Sequence, residues 1–193
     1  SFRELLSHPV FLLAVLAQFM YVGAQVGTWS YFIQYIQDST QLHEKTAGLL
    51  LTGTLVAFGV GRFASAEIMR RVRPARLMGV FAVLIVGLVA IGVAWPGWIG
   101  LWAIFCTSFF MSVMYPTIFA LGIEGLGRNT KIGGSIVVMA IVGGAVITPV
   151  MGLISQKSHS IALAYTIPLV CYLVVVLFSV AGPRMAARSH ARA

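Results

Sequence analysis

The sequence predicts an all-α membrane protein built from six transmembrane helices. Three observations carry that prediction. First, 59% of the 193 residues are hydrophobic and only 9% are charged, against roughly 25% charged in a soluble domain. Second, the apolar residues gather into six runs close to the length of about 20 that a helix needs to cross the hydrocarbon core. Third, the 13 Lys and Arg residues fall at the ends of those runs or between them. Together these exclude a disordered chain, a coiled coil, a collagen and a disulfide scaffold, and they argue against a soluble domain. Runs this long without strict alternation satisfy their backbone hydrogen bonds as helices and not as barrel strands. The net charge of +8 is assigned to membrane topology and not to nucleic acid.

The first span, residues 9–35, is unusually polar. Gln18, Tyr21, Gln25, Trp29 and Phe32 are spaced 3, 4, 4 and 3 apart and share one helical face. Amides are costly in lipid without partners, so the face is expected to meet protein or a water-filled cavity. An amide can bond two neighbouring hydroxyls, and Trp or Tyr offers an apolar platform to the C–H face of a sugar. Helix-to-helix glue is the alternative role for these glutamines. Gly23 and Gly27 form a G-x-x-x-G read mainly as close packing. The second span, 46–69, is expected to end in a loop beginning Gly61-Arg62-Phe63 and continuing Arg70-Arg71-Val72-Arg73-Pro74. The third, 77–95, and the fourth, 98–123, are joined by Pro96-Gly97 between Trp95 and Trp98, an interfacial aromatic pair.

In the fourth span Ser108, Met111, Ser112, Tyr115 and Phe119 share a face. Pro116 removes the donor for the Ser112 carbonyl, so a kink is expected there. The fifth span, 133–154, carries Gly133-Gly134 and Gly143-Gly144 for close packing, and Thr148-Pro149 as a bending point. The sixth, 161–181, carries Thr166 near Pro168. Met20-Tyr21 and Met114-Tyr115 lie 94 residues apart, a faint hint of two inverted three-helix repeats, which suit a transporter.

With the N-terminus inside, the inner stretches hold Arg3, Arg62, Arg70, Arg71, Arg73, Arg76, Arg128, Lys131, Arg184, Arg188 and Arg192, and the outer ones only Lys45 and Lys157. That bias places both termini in the cytoplasm. Residues 1–9 hold Arg3 and Glu4 and do not read as a signal peptide. Without an initiator Met, the chain is expected to start inside a longer protein. Cys106 and Cys171 have no metal or disulfide spacing and are expected to be small buried side chains. No Asp, Glu, Lys or His lies deep in a span, so this stretch supplies no intramembrane proton relay. No catalytic, phosphate-binding or metal motif is present, so no enzymatic activity, cofactor or metal is expected. Arg62, Glu67, Glu124 and Arg128 lie at inner helix ends at similar depth and are expected to form a cytoplasmic gate network that makes and breaks with conformation.

Gln18-Phe-Met-Tyr-Val-Gly-Ala-Gln25 with Trp29-Ser-Tyr31 resembles the seventh helix of L-fucose permease-like transporters of the major facilitator superfamily. Leu51-Thr-Gly-Thr54 with Gly61-Arg-Phe63 resembles their eighth helix and its loop. Tyr115-Pro-Thr-Ile-Phe-Ala-Leu-Gly-Ile123 resembles the tenth, and Thr148-Pro-Val-Met-Gly152 the eleventh. The resemblance covers nearly the whole chain. It implies the C-terminal half, helices 7–12, of a twelve-helix transporter of the bacterial inner membrane. Sugar would bind between the halves at mid-membrane and enter with protons, and the coupling acids would lie in the N-terminal half, the implied partner. It also implies a substrate-lining role for Tyr115, a cavity-lining helix for the stripe of Gln18, Tyr21, Gln25 and Trp29, and no transport by this half alone; Ser112, on the same helical face as Tyr115, completes the expected lining set. A permease for another sugar, a polyol or a drug is the alternative within transport, and a stand-alone six-helix scaffold or enzyme the alternative outside it.

Overall fold

The computed structural model describes residues 5–190, except the side chains of 186 and 188–190. Arg3, Glu4 and Arg192, and the side chains of Arg188 and His190, lie outside the described residues. Six helical spans are long and apolar enough to cross a membrane: Pro9–Ser30, Glu44–Ile68, Pro74–Ala94, Trp98–Ile123, Gly127–Ser158 and Ile161–Met185. Ten α-helices build them among the described residues. They are α1 (Pro9–Ser30), α2 (Phe32–Thr40), α3 (Glu44–Ile68), α4 (Pro74–Ala94), α5 (Trp98–Met111), α6 (Met114–Ile123), α7 (Thr130–Met139), α8 (Gly143–Ser158), α9 (Ile161–Ala164) and α10 (Thr166–His190). The first span is longer than the hydropathy pattern suggests, because α2 carries it through Thr40 beyond the apolar run.

The central helix is α1, which packs against α10, α8 and α6, while α4 packs against α5 and α10 and α3 against α5. Small residues set these contacts. A Cβ at Gly23 would overlap Ile147, and one at Gly27 would overlap Met151, so the G-x-x-x-G seats α1 on α8. A Cβ at Gly143 would overlap the Phe19 backbone carbonyl, and one at Gly61 the Phe109 carbonyl. Gly61-Arg62-Phe63 therefore belongs to helix α3, at its close approach to α5, and not to a loop; the chain leaves the helix only after Ile68. At the short α4–α5 connection Gly97 has φ of 136°, a conformation nearly closed to other residues. Trp95 and Trp98 beside it are exposed.

Four spans are interrupted, the first of them at Tyr31 between α1 and α2. In the fourth, α5 ends at Met111 and α6 starts at Met114. Pro116 cannot bond the Ser112 carbonyl and its ring crowds that group, so the helix parts there as the sequence predicts. The Ser112 hydroxyl turns back to its own helix, donating to the Phe109 carbonyl at 2.7 Å. In the fifth span the irregular turn is the 3-10 segment Ala140–Val142, upstream of the expected site; Pro149 sits inside unbroken α8. In the sixth, the break falls at Tyr165 and Pro168 lies in the first turn of α10, where a missing N–H leaves no bond unmade.

Tyrosine hydroxyls close backbone bonds left open at helix ends. Tyr21 donates to the Met111 carbonyl at 2.8 Å, Tyr35 to that of Gly92 at 2.6 Å and Tyr165 to that of Thr28 at 2.7 Å. Each acceptor lies in the last turn of its helix, where carbonyls lack an intrahelical partner. The three rings are fully buried. Each bond contributes about 1 kcal/mol net, and leaving the carbonyl unmet in this interior costs about 1–3 kcal/mol. Cys171 is buried, with Sγ 3.7 Å from the Met20 sulfur; Cys106 is exposed, contrary to expectation, because its face of α5 is left uncovered.

Candidate functional site

The polar stripe of α1 divides. Gln18 and Tyr21 are fully buried among the helices of this chain. Tyr21 is committed to the Met111 carbonyl, and both amide atoms of Gln18 lack a hydrogen-bond partner among the described residues. Ser112 is likewise buried, its hydroxyl on Phe109 with Ser65 Oγ at 3.4 Å. Gln18, Tyr21 and Ser112 thus sit inside the bundle of this chain in this conformation, covered by neighbouring helices. The cause is the same for all three: periodicity fixes which residues share a face but not which neighbour covers it. Phe32, beyond the interruption at Tyr31, is a core residue.

Gln25, Trp29 and Tyr115 are only partly buried. Trp29 donates its indole N–H to Ser108 Oγ at 3.0 Å. Thr54 Oγ1 lies 2.6 Å from the same Ser108 oxygen and 3.0 Å from the Phe105 carbonyl. One hydroxyl of α5 therefore ties α1 to α3. The Trp29 ring meets Phe58 edge-to-face, with centroids 5.3 Å apart. Thr54 and Phe58, one turn apart on α3, were not legible as site residues: the Leu51-Thr-Gly-Thr54 resemblance touched only Thr54, and nothing in the sequence pointed to Phe58. No hydrogen bond ties the Gln25 amide or the Tyr115 hydroxyl to another described side chain, so their polar ends remain uncommitted inside this half. Trp29 and Phe58 thus form an aromatic pair backed by the Ser108 and Thr54 hydroxyls, with the Gln25 amide one turn earlier on α1, a chemistry suited to a small solute with an apolar ring face and several hydroxyls.

The expected gate residues are exposed. Glu67 pairs with Arg70, three residues on, at 3.1 Å, and not with Arg62 or Arg128. Among the described residues Arg62, Glu124 and Arg128 make no ion pair, so the expected four-residue network is not formed in this conformation. The Glu67–Arg70 pair is well exposed, and such pairs contribute little.

Comparison with known proteins follows the same lines. The L-fucose-proton symporter of Escherichia coli K12 is 43% identical over 169 residues, which is 86% of this chain and 38% of the symporter. The crystal structure of the E. coli fucose:proton symporter superposes with a TM-score of 0.92 at 40% identity, covering 94% of this chain and 44% of that one. The chain is homologous to the L-fucose-proton symporter. It shares with that symporter the major facilitator fold, also the description given to a second crystal structure, in the outward conformation, with a TM-score of 0.90. The glucose/galactose transporter of Brucella abortus is 32% identical over 180 residues, 90% of this chain and 42% of the transporter. A model of the Organic Anion Transporter Polypeptide (OATP) family matches residues 1–96. The chain spans about two-fifths of the length of the curated relatives it matches. These relatives of the symporter homologue are named as transporters, and its six apolar spans make it an integral membrane domain.

Proposed function

We propose that this chain is the C-terminal half of a sugar:proton symporter that takes up L-fucose or a related hexose by alternating access. The observation that carries the reading is the Trp29–Ser108–Thr54 cluster with Phe58 against the Trp29 ring, and the half-buried Gln25 one turn before Trp29 on the same helix face. That chemistry fits a hexose, and the related symporters and glucose/galactose transporter act on such sugars by name. Gln25, Trp29 and Tyr115 line the sugar site; Ser108, Thr54 and Phe58 hold Trp29 in place. The N-terminal six-helix half supplies the opposing wall and the protonatable acid. Arg62, Glu67, Glu124 and Arg128 act as inner gate charges that pair in another conformation. The membrane is the bacterial inner membrane, with both ends of the chain cytoplasmic, an orientation favoured by the Arg cluster at residues 70–76.

The test is uptake of labelled L-fucose, glucose and galactose by the full-length transporter that contains this chain. Uptake of at least one, abolished by a protonophore, is the expected result. No hexose uptake and no effect of the protonophore would overturn the proposal. A second reading, an organic anion, is favoured by the family match over residues 1–96; competition by an organic anion but not by hexoses would select it.

A further inference from the structure

We propose that the groove between α4 and α10 binds one anionic phospholipid. The groove holds about 860 Å³ and is open along its length. It shares no lining residue with the Trp29 cluster. Its floor is set by close packing, since a Cβ at Gly79 would come within 2.9 Å of Ser179 Oγ. Above that contact the valines and leucines of the two helices form the walls.

Charge is concentrated at one end. Arg71, Arg73 and Arg76 line the mouth, and all three are exposed. No acidic residue is among the lining residues; the neighbouring Glu67 is taken by Arg70. Glu124 lines the adjoining pocket that shares Ala75 and Pro183 with this groove, but among the described residues no ion pair ties Arg71, Arg73 or Arg76, and three guanidinium groups against one nearby carboxylate leave a net positive mouth that attracts an anionic head group. Guanidinium also suits bidentate bonding to phosphate.

The polarity then changes along the helix. Arg76, Val80, Val83 and Leu84 follow one another at spacings of 4, 3 and 1, so one face of α4 passes from cationic to apolar. Arg76 and Leu84 are about 12 Å apart along the axis at 1.5 Å per residue. Val80, Val83 and Leu84 are 53%, 56% and 44% exposed, leaving an apolar channel for acyl chain below the head-group site. A free phosphate or a soluble anion would use the arginines but leave this channel unused. A zwitterionic lipid would bring its own cation among the three arginines. The matching ligand is a phospholipid with net negative charge, held by its phosphate at the basic mouth and by a chain in the groove.

The test uses the full-length transporter in detergent, with phosphatidylglycerol or phosphatidylcholine added back and retained lipid read by native mass spectrometry. The expected result is retention of one phosphatidylglycerol at least tenfold over phosphatidylcholine. The Arg71→Gln/Arg73→Gln/Arg76→Gln variant should lose that preference, and the corresponding triple Lys variant should keep most of it. Val83→Trp, which fills the groove at an exposed position and leaves every arginine intact, should lower retention about tenfold while the protein stays monodisperse. Equal retention of the two lipids by the wild type would overturn the proposal. So would unchanged phosphatidylglycerol binding in the Gln variant or in Val83→Trp, or full displacement by glycerol phosphate.

Discussion

Trp29 ties α1 to α5 through its indole N–H to Ser108, which also accepts from Thr54 of α3. Replacing Trp29 with Phe keeps a ring against Phe58 but removes one of the two donors to Ser108 Oγ, leaving only Thr54. The expected cost is about 1 kcal/mol of stability, with loss of sugar affinity through a displaced platform; thermal unfolding and equilibrium sugar binding measure the two effects. Tyr115→Phe and Gln25→Ala remove groups that make no bond inside this half. Their stability should be near wild type, while sugar binding weakens by about 1–3 kcal/mol where a buried sugar hydroxyl is left unpaired. Wild-type affinity in both would remove them from the site. Tyr21→Phe has the opposite signature. It strands the buried Met111 carbonyl, so it should lower stability by about 1–3 kcal/mol, and sugar affinity in the folded fraction should hold. The distinction between Tyr21 and Tyr115 was not legible in the sequence. Both are intramembrane tyrosines next to a methionine, and only the partner 90 residues away separates a structural hydroxyl from a free one.

Helices carry the fold through small-residue contacts and through the points at which they break. Gly61 sits where α3 meets the backbone of α5. Gly61→Val adds three carbons against the Phe109 carbonyl and is expected to cost about 1–3 kcal/mol or more through overpacking, seen as lower yield and a lower melting temperature. Gly59→Ala, two residues earlier with open space around its Cβ position, should be neutral to slightly stabilising. The six spans were legible because apolar runs of this length have few other solutions. The interruption before Pro116 was legible because proline removes a specific donor. The interruptions at Tyr31 and Tyr165 were not, since their stability rests on hydroxyl bonds to distant spans. The 3-10 turn of the fifth span was not legible either: it lies at Ala140–Val142, just before Gly143 meets the α1 backbone, while Pro149 stays within helix α8.

The whole domain presents its surface unevenly. In the most apolar stretch of α3 only 17% of residues are buried, and in the fifth span 28%, against 50% for α1 and the fourth span. The α3 and α7–α8 side is thus the least covered within this chain. Under the proposed function, part of that surface meets an N-terminal six-helix half. Co-expression of this chain with the other half should restore sugar uptake that neither gives alone. Arg62, Glu124 and Arg128 belong to this scale as well, because no described residue pairs with them. Arg62→Gln in the full-length protein should shift the balance between inward- and outward-open forms, detectable as altered spectroscopic distances across the inner face. An unchanged distribution would remove Arg62 from the gate.

Sugar-protected cysteine labelling measures the central claim directly. Gln25→Cys and Tyr115→Cys are introduced singly into the full-length transporter, with Cys106 and Cys171 replaced by Ser, and treated with a membrane-impermeant maleimide in inside-out and right-side-out vesicles. The account predicts that both positions label from the aqueous phase and that saturating L-fucose or the preferred hexose slows labelling several-fold. Labelling only by lipid-soluble reagents, with no protection by any hexose, would contradict it.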